Sequence, residues 1–281
     1  MTLARADDLG RHSVGDVVDA LARVCDPLPR TMLVGAACRD ALHVQFGHPF
    51  SLRSTDDLDL ALAVDGLEQF EQITHHFPRK RLGAGTVRFD IAGRAVDLVP
   101  FGAGVENPDG VVTPHEPMSV FGFRDGLAHA RRIELTDGHV VHYPIAPGYT
   151  LLKLKAWADR SAYGLYKDGS DLACSMFWYQ NDPATEERLY SSERDNFAHL
   201  TAAEWDPDIA AVRLLIADAT AMLPEARRSE LRNVWDSLRG GDALLASQLT
   251  NDRLPTWPTG QRAPTRLALY AAAVRAVIAT P

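Results

Sequence analysis

The segment LVGAACRDALHVQFGHPFSLRSTDDLDLALAV, residues 33–64, decides how this chain is read. Residues 31–34 are an apolar run suited to a short buried strand, Gly35 and Ala36 make a tight turn, and residues 38–46 carry the pattern of a helix opened by that turn. Free N–H groups at a helix start, reinforced by the helix dipole, attract anions, and small side chains there let a phosphate approach closely. Gly35 and Ala36 are therefore candidate nucleotide contacts.

The end of the segment supplies carboxylates. In Asp57-Leu58-Asp59-Leu60-Ala61-Leu62 the two-residue period of a strand puts both acids on one face and the leucines on the other. Adjacent acids repel, and a hard divalent cation relieves the repulsion: Mg²⁺ takes oxygen ligands from one or two carboxylates together with substrate phosphates. A third acid, Asp97, interrupts the apolar run Ala95-Val96-Asp97-Leu98-Val99, as a ligand on an otherwise buried strand should. Three acids on neighbouring strands can hold two Mg²⁺ ions, which makes Asp57, Asp59 and Asp97 the candidate catalytic and metal-binding residues.

Around this centre, Ser13 is read as the cap of a helix over residues 14–24, with Val17, Val18, Leu21 and Val24 on its apolar face. Residues 66–77 place Leu67, Phe70, Ile73 and Phe77 at helical spacing. Residues 86–91 and 95–100 read as a hairpin turning at Gly93, residues 102–117 as a loop near the site, and residues 131–135 and 139–143 as a hairpin turning at Asp137-Gly138. From Ile145-Ala146-Pro147-Gly148 onward the pattern becomes helical. The expected fold is thus α+β in residues 1–145, a mixed sheet flanked by helices, followed by an α-helical domain in residues 146–281. In the latter, helices are expected near residues 183–192, 209–222, 226–238 and 265–278, with a loop over 254–264.

The helical half carries charge in unusual places. Lys153 and Lys155 lie among Leu151, Leu152, Leu154, Ala156, Trp157 and Ala158. A lysine in such a helix is costly to bury unless an anion partners it, and a nucleotide phosphate would serve; the alternative, a head group snorkelling to solvent, suits Lys155 better than Lys153. Asp168 and Asp171, three apart, share one face of the next helix, and Asp168 also stands near a helix start, where the dipole favours an acid.

Composition narrows the function classes. Of 281 residues 46% are hydrophobic, ample for a globular core, and the net charge of −8 argues against a protein that coats nucleic acid by overall charge. No run reaches the roughly eighteen apolar residues of a membrane span, and residues 1–11 are polar rather than signal-like, so a cytoplasmic protein without a membrane partner is expected. Cys25, Cys38 and Cys174 suit neither a disulfide framework nor a zinc site and read as core thiols, and the ten histidines, His75-His76 included, lack metal-ligand spacing. Two local basic groups, Arg79-Lys80-Arg81 and Arg227, Arg228 and Arg232, are either solvated surface or contacts to RNA phosphates.

In their order, Gly35, Arg39-Asp40, Thr55 with Asp57-Leu58-Asp59, and then Asp97 resemble the polymerase-β-type nucleotidyltransferase superfamily. Val34-Gly35-Ala36-Ala37-Cys38-Arg39-Asp40 is similar to the head of tRNA CCA-adding enzymes and to abortive-infection toxins. Residues 151–160 and 167–173, with Lys153, Asp168 and Asp171, look like the helical motifs of AbiEii-like toxins of type IV toxin–antitoxin systems. The sequence departs from the family at Ala36, where Gly or Ser is usual, and no good counterpart of the base-selecting Arg and Asp motif of CCA-adding enzymes is present, Arg124-Asp125 being the nearest.

The resemblance implies a polymerase-β-type catalytic domain using Mg²⁺ and an NTP, with Lys153 neutralising triphosphate charge and Thr55, Asp168 and Asp171 joining Gly35 and Ala36 in nucleotide binding. Arg39 either reaches a phosphate or braces the turn through Asp40. The implied acceptor is tRNA, the outcome growth inhibition, and the implied protein partner a cognate antitoxin. A small-molecule nucleotidyltransferase of the aminoglycoside type, or a CCA-adding-like tRNA enzyme, is the alternative.

Overall fold

The computed structural model of the chain describes residues 13–53, 55, 57–80, 88–106, 119–136, 138–161, 167–191 and 197–280. They divide into two compact units, Met1–Ile145 and Ala146–Pro281. The first is α+β, built on six strands: β1 (Thr31–Leu33), β2 (Asp57–Ala63), β3 (Arg88–Ile91), β4 (Arg94–Phe101), β5 (Arg131–Glu134) and β6 (Val140–Tyr143). They form one mixed sheet in the order β3-β4-β2-β1-β6-β5, in which β2–β4 and β1–β6 are parallel pairs and the rest antiparallel.

Strand alternation explains the sheet. Leu58, Leu60 and Leu62 of β2 and Val96 and Leu98 of β4 are buried, whereas Asp57, Asp59 and Asp97 stand half-buried on the opposite face. β3 and β4 turn at Ala92 and Gly93, whose φ angles of 51° and 75° fit the left-handed pair of a type I′ hairpin. Residues 86 and 87 of the expected strand, most of the 102–117 loop and Asp137 lie outside the described residues.

Four helices belong to this unit: α1 (Val14–Ala22), α2 (Gly35–Gln45), α3 (Leu67–Thr74) and α4 (Phe123–Ala128). α1 buries Val14, Val17, Val18 and Leu21, one helical stripe. Ser13 does not cap it. Its φ of 52° and ψ of 37° are left-handed, and a serine cap needs an extended backbone to aim its hydroxyl at the first free N–H groups. α2 starts earlier than the sequence suggests, so Gly35 and Ala36 are its first two residues rather than a separate turn.

The second unit is helical: α5 (Ala146–Arg160), α6 (Lys167–Gln180), α7 (Pro183–Leu189), α8 (Phe197–Ala202), α9 (Pro207–Ala221), α10 (Glu225–Ser237), α11 (Gly241–Gln248) and α12 (Ala263–Ile278). α9 packs against α5, α6, α7, α8 and α12. Its start is built by Asp206, whose carboxylate accepts from the N–H groups of Asp208 and Ile209, with Pro207 in the first turn where its missing N–H costs nothing. Arg266 of α12 pairs with Asp206 and with Asp208, tying those two helices together. Fully buried Trp157, Trp178 and Trp235 anchor the interior, each worth about 1.5–3 kcal/mol by analogy with other large apolar side chains. Pro264, expected in a loop, lies in the first turn of α12. No helix among the described residues is long and apolar enough to cross a membrane.

Cys38 and Cys174 are buried free thiols as expected, but Cys25 is only half-buried.

Candidate active site

The antiparallel pairing of β1 with β2 aligns Leu33 with Leu60, and the next N–H along β1, that of Val34, donates to the Asp59 carbonyl at 3.2 Å. The start of α2 therefore lands beside the first acids of β2. Gly35 has φ +57°, and a Cβ on it would stand 1.9 Å from Asp59 Oδ2. Only a residue without a side chain lets this carboxylate lie against the helix start. The N-cap residue Val34 offers no side-chain cap, so the first N–H groups of α2 are not consumed by it.

Parallel pairing of β2 with β4 sets Asp59 directly opposite Asp97, and Asp57 opposite Ala95. The hairpin then sets Arg88 opposite Asp97 on the other side. All four charged residues thus project from one face of the sheet. The Arg88 guanidinium donates to Asp97 from Nε and Nη2, at 2.6 and 2.7 Å, and from Nη2 to Asp57 Oδ2 at 2.6 Å. The hydrogen bonds to Asp97, against the opposing effect of burial, hold its proton more firmly than an ordinary arginine does, with the Asp97 and Asp57 charges adding to this.

Arg88 is the residue of the candidate site that sequence reasoning missed. The signal was present: with Ala92-Gly93 as a two-residue turn, counting back along each arm pairs Ile91 with Arg94 and Arg88 with Asp97. Among the described residues no three His, Cys, Asp or Glu side chains are gathered as a metal cage; Asp57 and Asp97 are bridged by the arginine.

Arg39 takes the bracing one of its two readings. It is 2% exposed, donates from Nε and Nη2 to Asp40 at 3.1 and 3.0 Å and reaches the Arg53 carbonyl, so its head group is turned into the unit rather than toward a phosphate in solvent. Ala36 is buried beside Gly35 in the first turn of α2, and the Thr55 hydroxyl lies 3.4 Å from the Asp57 carbonyl, just before β2.

In the second unit Lys153, Asp168 and Asp171 come together. Lys153 Nζ lies 3.1 Å from Asp168 Oδ1 and 2.7 Å from Asp171 Oδ2, and Arg160 contacts Asp168 Oδ2 at 2.8 Å. Both aspartates are buried, so α5 and α6 are joined by a charge network closed to bulk water on the carboxylate side. Burial alone would lower the Lys153 pKa, but the charges of Asp171 and Asp168 outweigh it and raise it, so the ammonium persists. Lys155 does not snorkel freely: it is 8% exposed and its head group grips Asp159 at 2.6 and 2.7 Å, one helical turn on.

The basic groups considered for RNA are largely committed elsewhere. Arg79 bridges to Phe89 and lies over its ring, Lys80 pairs with Asp90 at 2.8 Å, and Arg81 lies outside the described residues. Arg227 and Arg228 pair with Glu230 and Glu225. Arg232 donates to the Ile278 and Thr280 carbonyls, capping the end of α12. A scan against protein-family models matches none to this chain, and a search of curated proteins finds no match.

Proposed function

We propose that this chain is a Mg²⁺-dependent nucleotidyltransferase with a polymerase-β-type catalytic domain, transferring a nucleoside monophosphate from an NTP to an RNA acceptor. The observation that supports it best is the direct opposition of Asp59 and Asp97 across β2–β4, with Asp57 on the same face and the start of α2 against Asp59. The donors suit Mg²⁺ by type, being oxygen ligands only, half-exposed and on one face, three negative charges against the single positive charge of Arg88, which bridges Asp57 and Asp97 here. Mg²⁺ held by Asp57, Asp59 and Asp97 would stabilise the charge that develops on the α-phosphate and the leaving pyrophosphate.

The chain's own residues have distinct tasks in this reading. The N–H groups at Gly35 and Ala36, which the Val34 side chain does not cap, bind phosphate oxygens. Asp97 also accepts the proton of the attacking hydroxyl, and Arg88, gripping both its oxygens, is a positioning residue that fixes the carboxylate plane. Lys153, with its charge already met by Asp168 and Asp171, serves as the organiser of the charge network joining α5 to α6 rather than as a lone counter-charge. As a toxin of the AbiEii-like kind, the enzyme would modify tRNA and be opposed by a cognate antitoxin in the cytoplasm.

The test is incubation with each NTP labelled at the α-phosphate, Mg²⁺ and total tRNA. Label recovered in RNA supports the reading. Label recovered only in a small-molecule acceptor moves the aminoglycoside-type alternative ahead.

A further inference from the structure

At the end of β1 remote from Gly35, the first unit has a groove of about 870 Å³ between the close of α1, the segment that precedes β1, and the β5–β6 hairpin. Arg23, Arg30 and Arg132 reach it from these three separate places. All three are exposed, and among the described residues none of their guanidinium groups has an ion pair or hydrogen bond. Three exposed arginines around one groove concentrate positive charge locally in a chain of net charge −8.

The register explains the convergence. His142 of β6 sits opposite Arg132 on β5 and opposite Met32 on β1, and Arg30 lies two residues before Met32, so Arg30, His142 and Arg132 form a row across one sheet face. Burial lowers the His142 pKa, and the charges of Arg132 and Arg30 lower it further against the pull of its bond to the Thr31 carbonyl. The imidazole is therefore neutral at neutral pH, so the positive charge of the groove comes from its arginines. Asp19, on the groove wall, faces His139 at 3.5 Å, and Asp26 is an exposed lip residue.

We infer that this groove binds the phosphodiester backbone of the RNA acceptor, with Arg30 and Arg132 as its principal phosphate contacts and Arg23 as a flanking one. The inference rests on the nucleotidyltransferase reading for the identity of the ligand. The groove is larger than one nucleotide needs, and its cations come from three separate segments of the chain, as suits a run of phosphates. Arg30 and Gly35 are five residues apart, about 16 Å along an extended chain, so RNA held here is gripped away from the reacting end. Loss of the grip should raise KM for RNA and leave kcat nearly unchanged.

The experiment is anisotropy of a fluorescein-labelled single-stranded RNA titrated with full-length protein, without NTP or Mg²⁺, over a range of salt. The double variant Arg30→Gln/Arg132→Gln is compared with Arg239→Gln/Arg253→Gln, which removes the same charge outside the groove, and thermal melts verify folding of both. The inference requires at least tenfold weaker RNA binding by the groove variant at low salt. Its log K against log salt slope should be flatter by about 1.4, two single-strand phosphate contacts, with the control like wild type. Equal binding by the groove variant and wild type overturns it. So does a wild-type protein that ignores RNA, including one in which inorganic phosphate binds and is lost in the groove variant, which makes the groove a small-anion site. An Asp59→Asn protein separates the two proposals: if it binds RNA normally while wild type transfers no label, the catalytic reading fails and the groove assignment stands.

Discussion

The Asp59 carboxylate occupies the space that a side chain on Gly35 would fill, with Oδ2 only 1.9 Å from the position of the missing Cβ. The turn that opens α2 and the strand that bears the acids are therefore fitted to each other at atomic contact. A left-handed φ of +57° at the same residue makes the requirement for glycine twofold.

Gly35→Ala should therefore destabilise the protein by about 1–3 kcal/mol, combining backbone strain with displacement of a carboxylate, and should abolish transfer even where folding is retained. Urea unfolding measures the first effect and the label assay the second. A variant of unchanged stability and activity would separate Gly35 from Asp59.

Arg88 neutralises part of the repulsion among the β2 and β4 acids. In Arg88→Gln the acids face one another with less compensation, so the variant should melt at a lower temperature than wild type. Added Mg²⁺ should raise its melting temperature by more than it raises that of wild type, because a cation bound by the folded state alone stabilises it by linkage. Differential scanning fluorimetry with and without Mg²⁺ reads both. Equal Mg²⁺ responses would argue against a metal at these carboxylates.

Lys153→Met leaves Asp168 and Asp171 buried with Arg160 as their remaining cation, and should cost about 3–5 kcal/mol. Lys155→Met, which frees a half-exposed Asp159, should cost under about 1 kcal/mol of ion-pair energy, beyond any change in packing. Chemical denaturation compares them, and equal losses would contradict the buried network. Because the first variant loses stability, its transfer activity is interpretable only with its folded fraction measured.

His43 is buried on α2, with Nε2 3.0 Å from the Phe50 carbonyl. Burial, aided by His48, lowers its pKa to about 4. In the unfolded chain it titrates near 6.5, about the ordinary value, so between these values the unfolded state binds the extra proton. Its contribution is full above the unfolded pKa and is lost as pH falls toward about 4, by up to about 3 kcal/mol. His43→Gln should flatten the stability–pH curve in that window. An unchanged slope would remove His43 as its source.

The strand alternation of Asp57 and Asp59, the hairpin turning at Gly93 and the helical stripes of α1 and α12 were legible because each is a local pattern repeated over several residues. Ser13 misled because capping depends on a backbone angle that residue identity does not dictate. α4, α8 and α11 were not anticipated: none is longer than Gly241–Gln248, too short for helical periodicity to stand out. Partners distant in sequence were the hardest to see. Nothing near Arg232 announces the end of α12, and the bridge of Arg88 to Asp57 crosses from β3 to β2 over the intervening β4. Arg30, His142 and Arg132 likewise meet only because β1, β6 and β5 are neighbours.

The central claim is that Asp57, Asp59 and Asp97 drive nucleotidyl transfer. It is tested most directly by parallel reactions with NTP labelled at the α- or the γ-phosphate, using wild type and Asp59→Asn, with Mg²⁺ and tRNA. The account predicts α-label in RNA and γ-label in pyrophosphate for wild type, with both reduced at least a hundredfold by Asp59→Asn although its melting temperature is retained. Transfer of the γ-label to the acceptor, absence of α-label with every NTP, or undiminished transfer by Asp59→Asn would contradict it.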